Sequence, residues 1–263
     1  MNSFLFNAPK TLQSNTFLGL IVGENIITLQ RVSSTNDYLK HNLSKSTPYT
    51  EGTVIMADDQ YAGKGQAGNI WKSEAGKNLT CSILLCPTFL PPKTQFSLNI
   101  AVSLAIIQLL KPLLGEELSI KWPNDIYYKD KKLGGILIEN IIRGTTWKHA
   151  IVGIGINVNQ LKFETDKACS LKALTNKHLD IHQLLISLCH ALSMQYQRLK
   201  QGDFTQQRQE YKLHLYRFGV RSPFIHNNYL RYGNIINITD EGRLIINFDG
   251  EIADFGIKEI SFQ

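Results

Sequence analysis

Small residues and fixed charge fall together at three places in the chain, at spacings that suit an anionic ligand. Gly63-Lys-Gly-Gln-Ala-Gly68 sets three glycines and a lysine within one short run. Backbone N–H groups without side chains can close on an anion there, and Lys64 adds positive charge. The run formally matches G-x-G-x-x-G, but no helix opens after Gly68 and no acid follows where a ribose would need one. No Gly-Lys-Ser/Thr closes it, so it is not a P-loop. Alone, such a cluster is better read as a flexible surface loop. Lys121-Trp-Pro-Asn-Asp125 places a lysine, an aromatic, a rigid turn and two short polar side chains at a strand-to-strand junction. The lysine could pair with phosphate and the carboxylate could hold a divalent cation, yet alone the run is good β-turn chemistry. Lys132-Leu-Gly-Gly-Ile-Leu-Ile-Glu139 and Gly153-Ile-Gly-Ile-Asn157 carry glycines inside strand-like runs. Glycine weakens a strand unless a ligand or another backbone must come close. Two neighbouring strands so depleted would leave a slot floored by backbone, with Lys132 at its mouth. Packing alone does not explain that pairing.

The elements that must position these residues can be read from periodicity. Ile26 to Val32 reads as a strand, and Ser34 then opens a helix with Asp37 three positions on, in a capping-box-like arrangement. Val54 to Ala57 is a short strand, 58–78 shows neither period, and Leu79 to Cys86 is an apolar strand. A structureless stretch of roughly twenty residues inside a domain is usually functional or mobile. Gln95 to Leu110 is apolar on nearly every face, as a helix buried beneath a sheet would be. Leu118 to Trp122 and Asp125 to Tyr128 read as strands, and Leu133 to Ile142 with His149 to Val158 as a hairpin rich in β-branched residues. Asp180 caps a helix through Leu184, Leu185, Leu188 and Leu192. Gly202 ends it, and Asp203 caps another running to about Arg217. From Gly219 the pattern changes to short strands with turns at Asn227-Asn228, Glu241-Gly242 and Asp249-Gly250. The expected fold class is α+β: a mixed sheet flanked by helices over residues 1–218, then a small SH3-like β-barrel over 219–263.

Composition bounds the rest. The 263 residues are 43% hydrophobic and 19% charged, which argues for a real core and against disorder. The net charge of +6 suits anionic ligands, nucleic acid or an acidic partner without choosing among them. Four cysteines, Cys81, Cys86, Cys169 and Cys189, lie scattered, with no zinc spacing or disulfide framework. The start of the chain lacks the pattern of a signal peptide, and the longest apolar stretch, Phe96 to Leu114, is interrupted by polar residues and Pro112. The expectation is a soluble, cytoplasmic protein with no membrane partner.

Taken together, five stretches in order resemble the biotin protein ligase family. They are Ser33-Ser-Thr-Asn36, Ala57 to Trp71, Lys121 to Asp125, Lys132 to Glu139 and Gly153 to Asn157. Each is weak alone; the ordered set is specific. The resemblance implies a biotin pocket of Ser34, Thr35, Asn36, Gln60, Lys64, Gly65, Gln66, Lys132, Gly135 and Gly153. It implies nucleotide contacts from Gly63, Lys64, Gly68, Trp71, Lys121, Asn124, Lys132 and Asn157. Lys132 and Lys121 would be catalytic, and Asp125 would serve Mg²⁺ through the phosphates. The substrates would be biotin and ATP, and biotinyl-adenylate the intermediate kept beneath the Gly63–Gly68 loop. The final acceptor would be a lysine of a biotin carboxyl carrier protein, of acetyl-CoA carboxylase or a similar enzyme. Family members commonly carry arginine where this chain has Lys64, and often where it has Gln66 and Asn69. About two dozen residues precede the first matching strand, so no DNA-binding domain and no specific DNA partner is expected. A homodimer is left open. The competing readings are a lipoate or octanoate ligase of the same superfamily, and a non-enzymatic RNA-binding module. Against the second, the basic residues are dispersed and the C-terminal strands lack a regular series of aromatics.

Overall fold

The computed structural model describes residues 10–13, 20–43 and 49–263. The expectation about the start of the chain falls on residues outside this set. In chain order the elements are β1 (Lys10–Gln13), β2 (Asn25–Val32), α1 (Thr35–Asn42), β3 (Val54–Gln60) and β4 (Leu79–Leu85). Then follow α2 (Phe96–Leu114), β5 (Leu118–Lys121), β6 (Asp125–Tyr128), β7 (Lys131–Arg143) and β8 (Thr146–Ile156). The helices α3 (Leu171–Thr175), α4 (Ile181–Lys200) and α5 (Phe204–Leu213) lead to β9 (Ser222–His226) and β10 (Tyr229–Ile238). The chain closes with β11 (Leu244–Phe248), β12 (Glu251–Phe255) and β13 (Ser261–Phe262).

The first eight strands form one sheet in the order β1-β2-β3-β4-β8-β7-β6-β5. It is mixed, since β2 and β3 run parallel and the other neighbours antiparallel. Successive side chains on a strand point to opposite faces, and that alternation builds the molecule. On β4, Leu79, Cys81, Ile83 and Leu85 join the main core, and on β8 Ala150, Val152, Ile154 and Ile156 do the same. The opposite face receives Thr80, Ser82 and Leu84 from β4, and Ile151, Gly153 and Gly155 from β8. Part of it is sealed by α1 through a small cluster of Ile27, Leu39, Ile55, Leu84 and Ile151. The rest is open.

The helix α2 fills the space under the main face, with Leu98, Ala101, Val102, Ala105, Ile106 and Leu110 buried beside Leu188 and Leu192 of α4. With its flanks (Pro92–Glu117, mean hydropathy 1.7) it is long and apolar enough to cross a membrane by composition. The polar interruptions noted in the sequence do not lower its hydropathy enough to exclude that, and in the fold Ser97, Asn99 and Ser103 are buried. Its place between sheet and helices makes it the core helix of this fold.

The last five strands form an antiparallel sheet in the order β12-β11-β10-β9-β13, consistent with an SH3-like unit. Turns fall where the sequence places them: Asn227, Asn228, Gly242, Asp249 and Gly250 all have positive φ. Phe224, Ile235, Leu244 and Ile246 are fully buried and continuous with the main core. The join centres on Trp122, whose indole N–H donates to the Gly242 carbonyl at 2.9 Å.

The helix starts test the capping expectations. Ser34 accepts from the Asp37 N–H and Asp180 accepts from the N–H groups of His182 and Gln183. Asp203 does not cap α5; its carboxylate pairs with Arg198 instead, at 2.8 Å. That helix also stops at Leu213 rather than near Arg217. The strand β1 and the short helix α3 were not expected, being too brief for periodicity to show.

Candidate active site

The open part of the second sheet face is a cleft of about 420 Å³. Its floor is the pair β7–β8, where Gly135 and Gly155 are direct register partners and Gly153 faces Leu137. The slot expected from the glycines is therefore present, and its contents are specific. A β-carbon on Gly155 would come within 2.5 Å of the Trp71 indole, and one on Gly153 within 2.6 Å of the Asn36 side chain. One on Gly135 would meet Asp125 Oδ1 at 3.3 Å and Lys132 Cε at 3.5 Å. Each glycine makes room for a neighbouring functional side chain.

At one end, the N-terminus of α1 presents Ser34, Thr35 and Asn36. Gln60, at the tip of β3, accepts from the Thr35 N–H at 2.9 Å and from its hydroxyl at 3.1 Å. Ser82 Oγ lies 2.6 Å from Thr35 Oγ1 and donates to Asn36 Oδ1 at 2.5 Å. The Asn36 amide donates to Glu139 at 2.9 Å. Ser82 and Glu139 were missed in the sequence, where both read as ordinary strand residues. The signal available was the alternation, which puts Ser82 directly across from Gly153.

At the other end, Lys132 and Asp125 form an ion pair at 2.6 Å. Lys121 donates to the Tyr127 hydroxyl at 3.1 Å. Burial pulls its pKa below the usual lysine value; Asp125 opposes that shift, while Arg217, Lys132 and Lys167 add to it. Asn124 holds the turn by donating to the Ile136 carbonyl at 2.5 Å.

The glycine run covers the opening, and it is not structureless. Lys64 and Ile70 form a bridge, a short helical turn spans Gln66–Gly68, and the Trp71 N–H returns to the Gly63 carbonyl at 2.9 Å. Ala67 adopts a left-handed φ of 57°. Lys64 pairs with Asp37 of α1 at 2.6 Å, and that bond raises its pKa. From the other side, Lys258 of the C-terminal sheet donates to the Ala67 carbonyl at 2.8 Å. Ile257, Lys258, Ile260, Ser261 and Phe262 all line the cleft, a wall that sequence spacing had no means of revealing.

Of the candidate residues, Ser34, Thr35, Asn36, Gln60, Lys64, Gly65, Gln66, Trp71, Lys121, Asn124, Asp125, Lys132, Gly135 and Gly153 line this one cleft. Gly63, Gly68 and Asn157 do not. A β-carbon on Gly63 would come within 2.4 Å of the Trp71 carbonyl, and Gly68 holds a positive φ of 87°. Asn157 is buried and donates to the Cys169 carbonyl at 3.0 Å, so here it ties β8 to the segment before α3. Among the described residues no group of three or more His, Cys, Asp or Glu could hold a metal ion. Asp125, the one carboxylate among the described residues of the lining, is paired with Lys132.

Comparison with known proteins agrees with this geometry. Residues 28–157 match the family model described as Biotin/lipoate A/B protein ligase family. The bifunctional ligase/repressor BirA of Bacillus spizizenii is 29% identical over 91% of this chain and 73% of its own length. BirA of Escherichia coli is 32% identical over 60% of this chain and 49% of its own. Among solved structures, the biotin protein ligase from Aquifex aeolicus in complex with biotin and ATP superposes with a TM-score of 0.76. It is 27% identical and covers 92% of this chain and 99% of that one. Residues 28–157 are thus a domain of the biotin/lipoate A/B protein ligase family, and the chain is homologous to biotin protein ligases.

Proposed function

We propose that this protein is an ATP-dependent biotin protein ligase that forms biotinyl-adenylate and transfers the biotinyl group to a lysine of a biotin carboxyl carrier protein. The observation that carries the reading is the facing pair Gly135 and Gly155, a backbone-floored slot with Lys132 at one end and the Thr35–Asn36–Ser82 cluster at the other. Hydrogen-bonding groups at one end suit a polar ring system, and lysines at the other suit a carboxylate beside a polyphosphate.

A carboxylate is a poor acylating agent, so the acid must first be activated. Its oxygen attacks the α-phosphorus of ATP and pyrophosphate leaves. Lys132 and Lys121 offset the repulsion between anions and stabilise the oxygens of the transferring group. Lys132 must exchange its bond to Asp125 for one to the ligand. Magnesium bound to the phosphates would supply further charge neutralisation, with Asp125 as the residue within reach. The acceptor amine then attacks the acyl carbon and AMP departs. The loop from Gly63 to Trp71 lies where it can keep water from the anhydride between the two steps.

The lipoate or octanoate alternative is disfavoured, because the human and Mycobacterium tuberculosis relatives are biotin ligases and the Aquifex relative was solved with biotin and ATP. Isothermal titration of biotin and of lipoate, with and without a non-hydrolysable ATP analogue, tests the choice. Binding of lipoate in preference to biotin would reject the assignment. We further propose a cytoplasmic protein that meets nucleic acid only through its net charge of +6. Gel-shift experiments at physiological salt should show only weak, salt-sensitive binding.

A further inference from the structure

The ammonium of Lys121 sits between two aromatic rings. It lies 4.7 Å from the centre of the Tyr127 ring and 5.1 Å from that of Phe262. Tyr127 belongs to β6, the neighbouring strand of the same sheet. Phe262 comes from β13, at the far end of the chain and in the other sheet. It is not a loose tail. Its ring packs 5.3 Å from Phe224 and 6.0 Å from Tyr216, and its backbone pairs with Phe224 of β9. The residue after it is fixed too: the Gln263 N–H donates to the Pro223 carbonyl at 3.2 Å, and Arg217 donates to the Gln263 carbonyl at 2.8 Å.

Lysine is a compact charge on a flexible four-carbon stem, so an unaided Lys121 would sample many directions. The charged groups around it do not fix one, since Asp125 attracts it and Arg217, Lys132 and Lys167 repel it, and its hydrogen bond to the Tyr127 hydroxyl at 3.1 Å holds it from the β6 side alone. Two ring faces attract a cation through their quadrupoles and do so directionally. Both Lys121 and Phe262 line the cleft.

We propose that Phe262 is a positioning residue for Lys121, its ring closing an aromatic clamp with Tyr127 that keeps the ammonium directed at the polyphosphate end of the cleft. The C-terminal sheet thus completes the site for the adenylation half-reaction. The proposal rests on the ligase reading above.

The experiment separates ring from bulk. Phe262→Leu keeps apolar cover and loses the ring face, Phe262→Met is a second ring-less variant should Leu unfold, and Phe262→Tyr keeps the face. Biotin-dependent ATP–pyrophosphate exchange, biotin affinity and thermal midpoint are measured for each. The expected result is about a tenfold fall in kcat/KM for ATP in the ring-less variants, ~1.4 kcal/mol, with biotin affinity unchanged and the Tyr variant near wild type. Ring-less variants matching the wild type, or a Tyr variant falling as far as they do, would overturn it. In ¹³C-lysine-labelled wild-type protein, the Lys121 ε-methylene should be shifted upfield by ring currents, and that shift should shrink in Phe262→Leu. This signal needs no turnover. If the wild type shows no exchange, the ligase reading and the positioning role both fall, while the methylene shift still reports whether the clamp exists. An unshifted methylene alongside normal exchange would refute the clamp alone.

Discussion

Lys132 and Lys121 share one end of the cleft but stand in different surroundings, and their predicted behaviour differs accordingly. Lys132 is held by an acid it must release, so Lys132→Ala should remove a charge aimed at the transferring phosphoryl group. A fall of roughly a hundredfold or more in biotin-dependent pyrophosphate exchange is expected. Exchange near the wild-type rate would reject the role. Lys121 is half-buried, and its pKa lies below the ordinary lysine value because burial disfavours the charged form. Its charge is lost at lower pH than that of a free lysine, so the alkaline limb of kcat/KM should begin below about 10.4. The linkage sign for stability is opposite. Between the folded and unfolded pKa values the unfolded chain binds more protons, so this group's contribution to stability increases with pH there. Activity should therefore decline across that window without a loss of stability attributable to Lys121, checked by parallel rate and denaturant measurements in wild type and Lys121→Met. On the slot floor, Gly155→Ala would drive a methyl into the Trp71 ring. The indole should be displaced and ATP affinity lowered several-fold, as titration of an ATP analogue would show.

At the scale of elements, the strands were visible in the sequence as short runs of apolar and β-branched residues, and β4 is buried along its whole length. The glycine slot was legible because glycine weakens a strand unless something must come close, and in β8 what comes close is the Trp71 indole and the Asn36 side chain. Three features were hidden for different physical reasons. Ser82 is polar within an apolar strand, and only its place opposite Gly153 gives it meaning. Asn157 continues a glycine-rich motif, yet its side chain turns inward to Cys169. Phe262 and Lys258 lie in a different sheet from the motifs, and no local pattern relates them to the cleft. The glycine run is the clearest difference from expectation: its composition suggests a free loop, whereas Lys64–Asp37 and Lys258–Ala67 fasten it at both sides. Both fastenings are exposed, so each contributes on the order of 1 kcal/mol or less. Lys258→Ala should raise tryptic cleavage at Lys64 and Lys72 about two- to fivefold in the empty protein, while biotin plus ATP suppresses it in both forms. Unchanged cleavage would mean that Lys258 does not restrain the loop.

For the whole molecule, the continuity of the core governs behaviour. Phe224, Ile235, Leu244 and Ile246 are fully buried in the same apolar cluster as α2 and the large sheet. Gly242 has a φ of 90° and packs against the Phe96 ring, so it tolerates no side chain. Calorimetry should give one cooperative unfolding transition, and Gly242→Ala should lower the stability of the entire protein by roughly 1–3 kcal/mol. Two resolved transitions, or a variant that melts only the small sheet, would contradict a shared core. The positions of the tryptophans have a spectroscopic consequence. Of the three indoles in the chain, Trp122 and Trp147 are buried and bonded to backbone carbonyls, whereas Trp71 rests on Gly155 at the cleft. Its N–H is buried and has no hydrogen-bond partner among the described residues. Fluorescence is thereby divided between one emitter that senses the cleft and two that sense the fold. Filling the cleft should alter only the first, while chemical denaturation should red-shift all three. In Trp71→Phe, the response to ligand should vanish from the emission spectrum and the unfolding signal should remain.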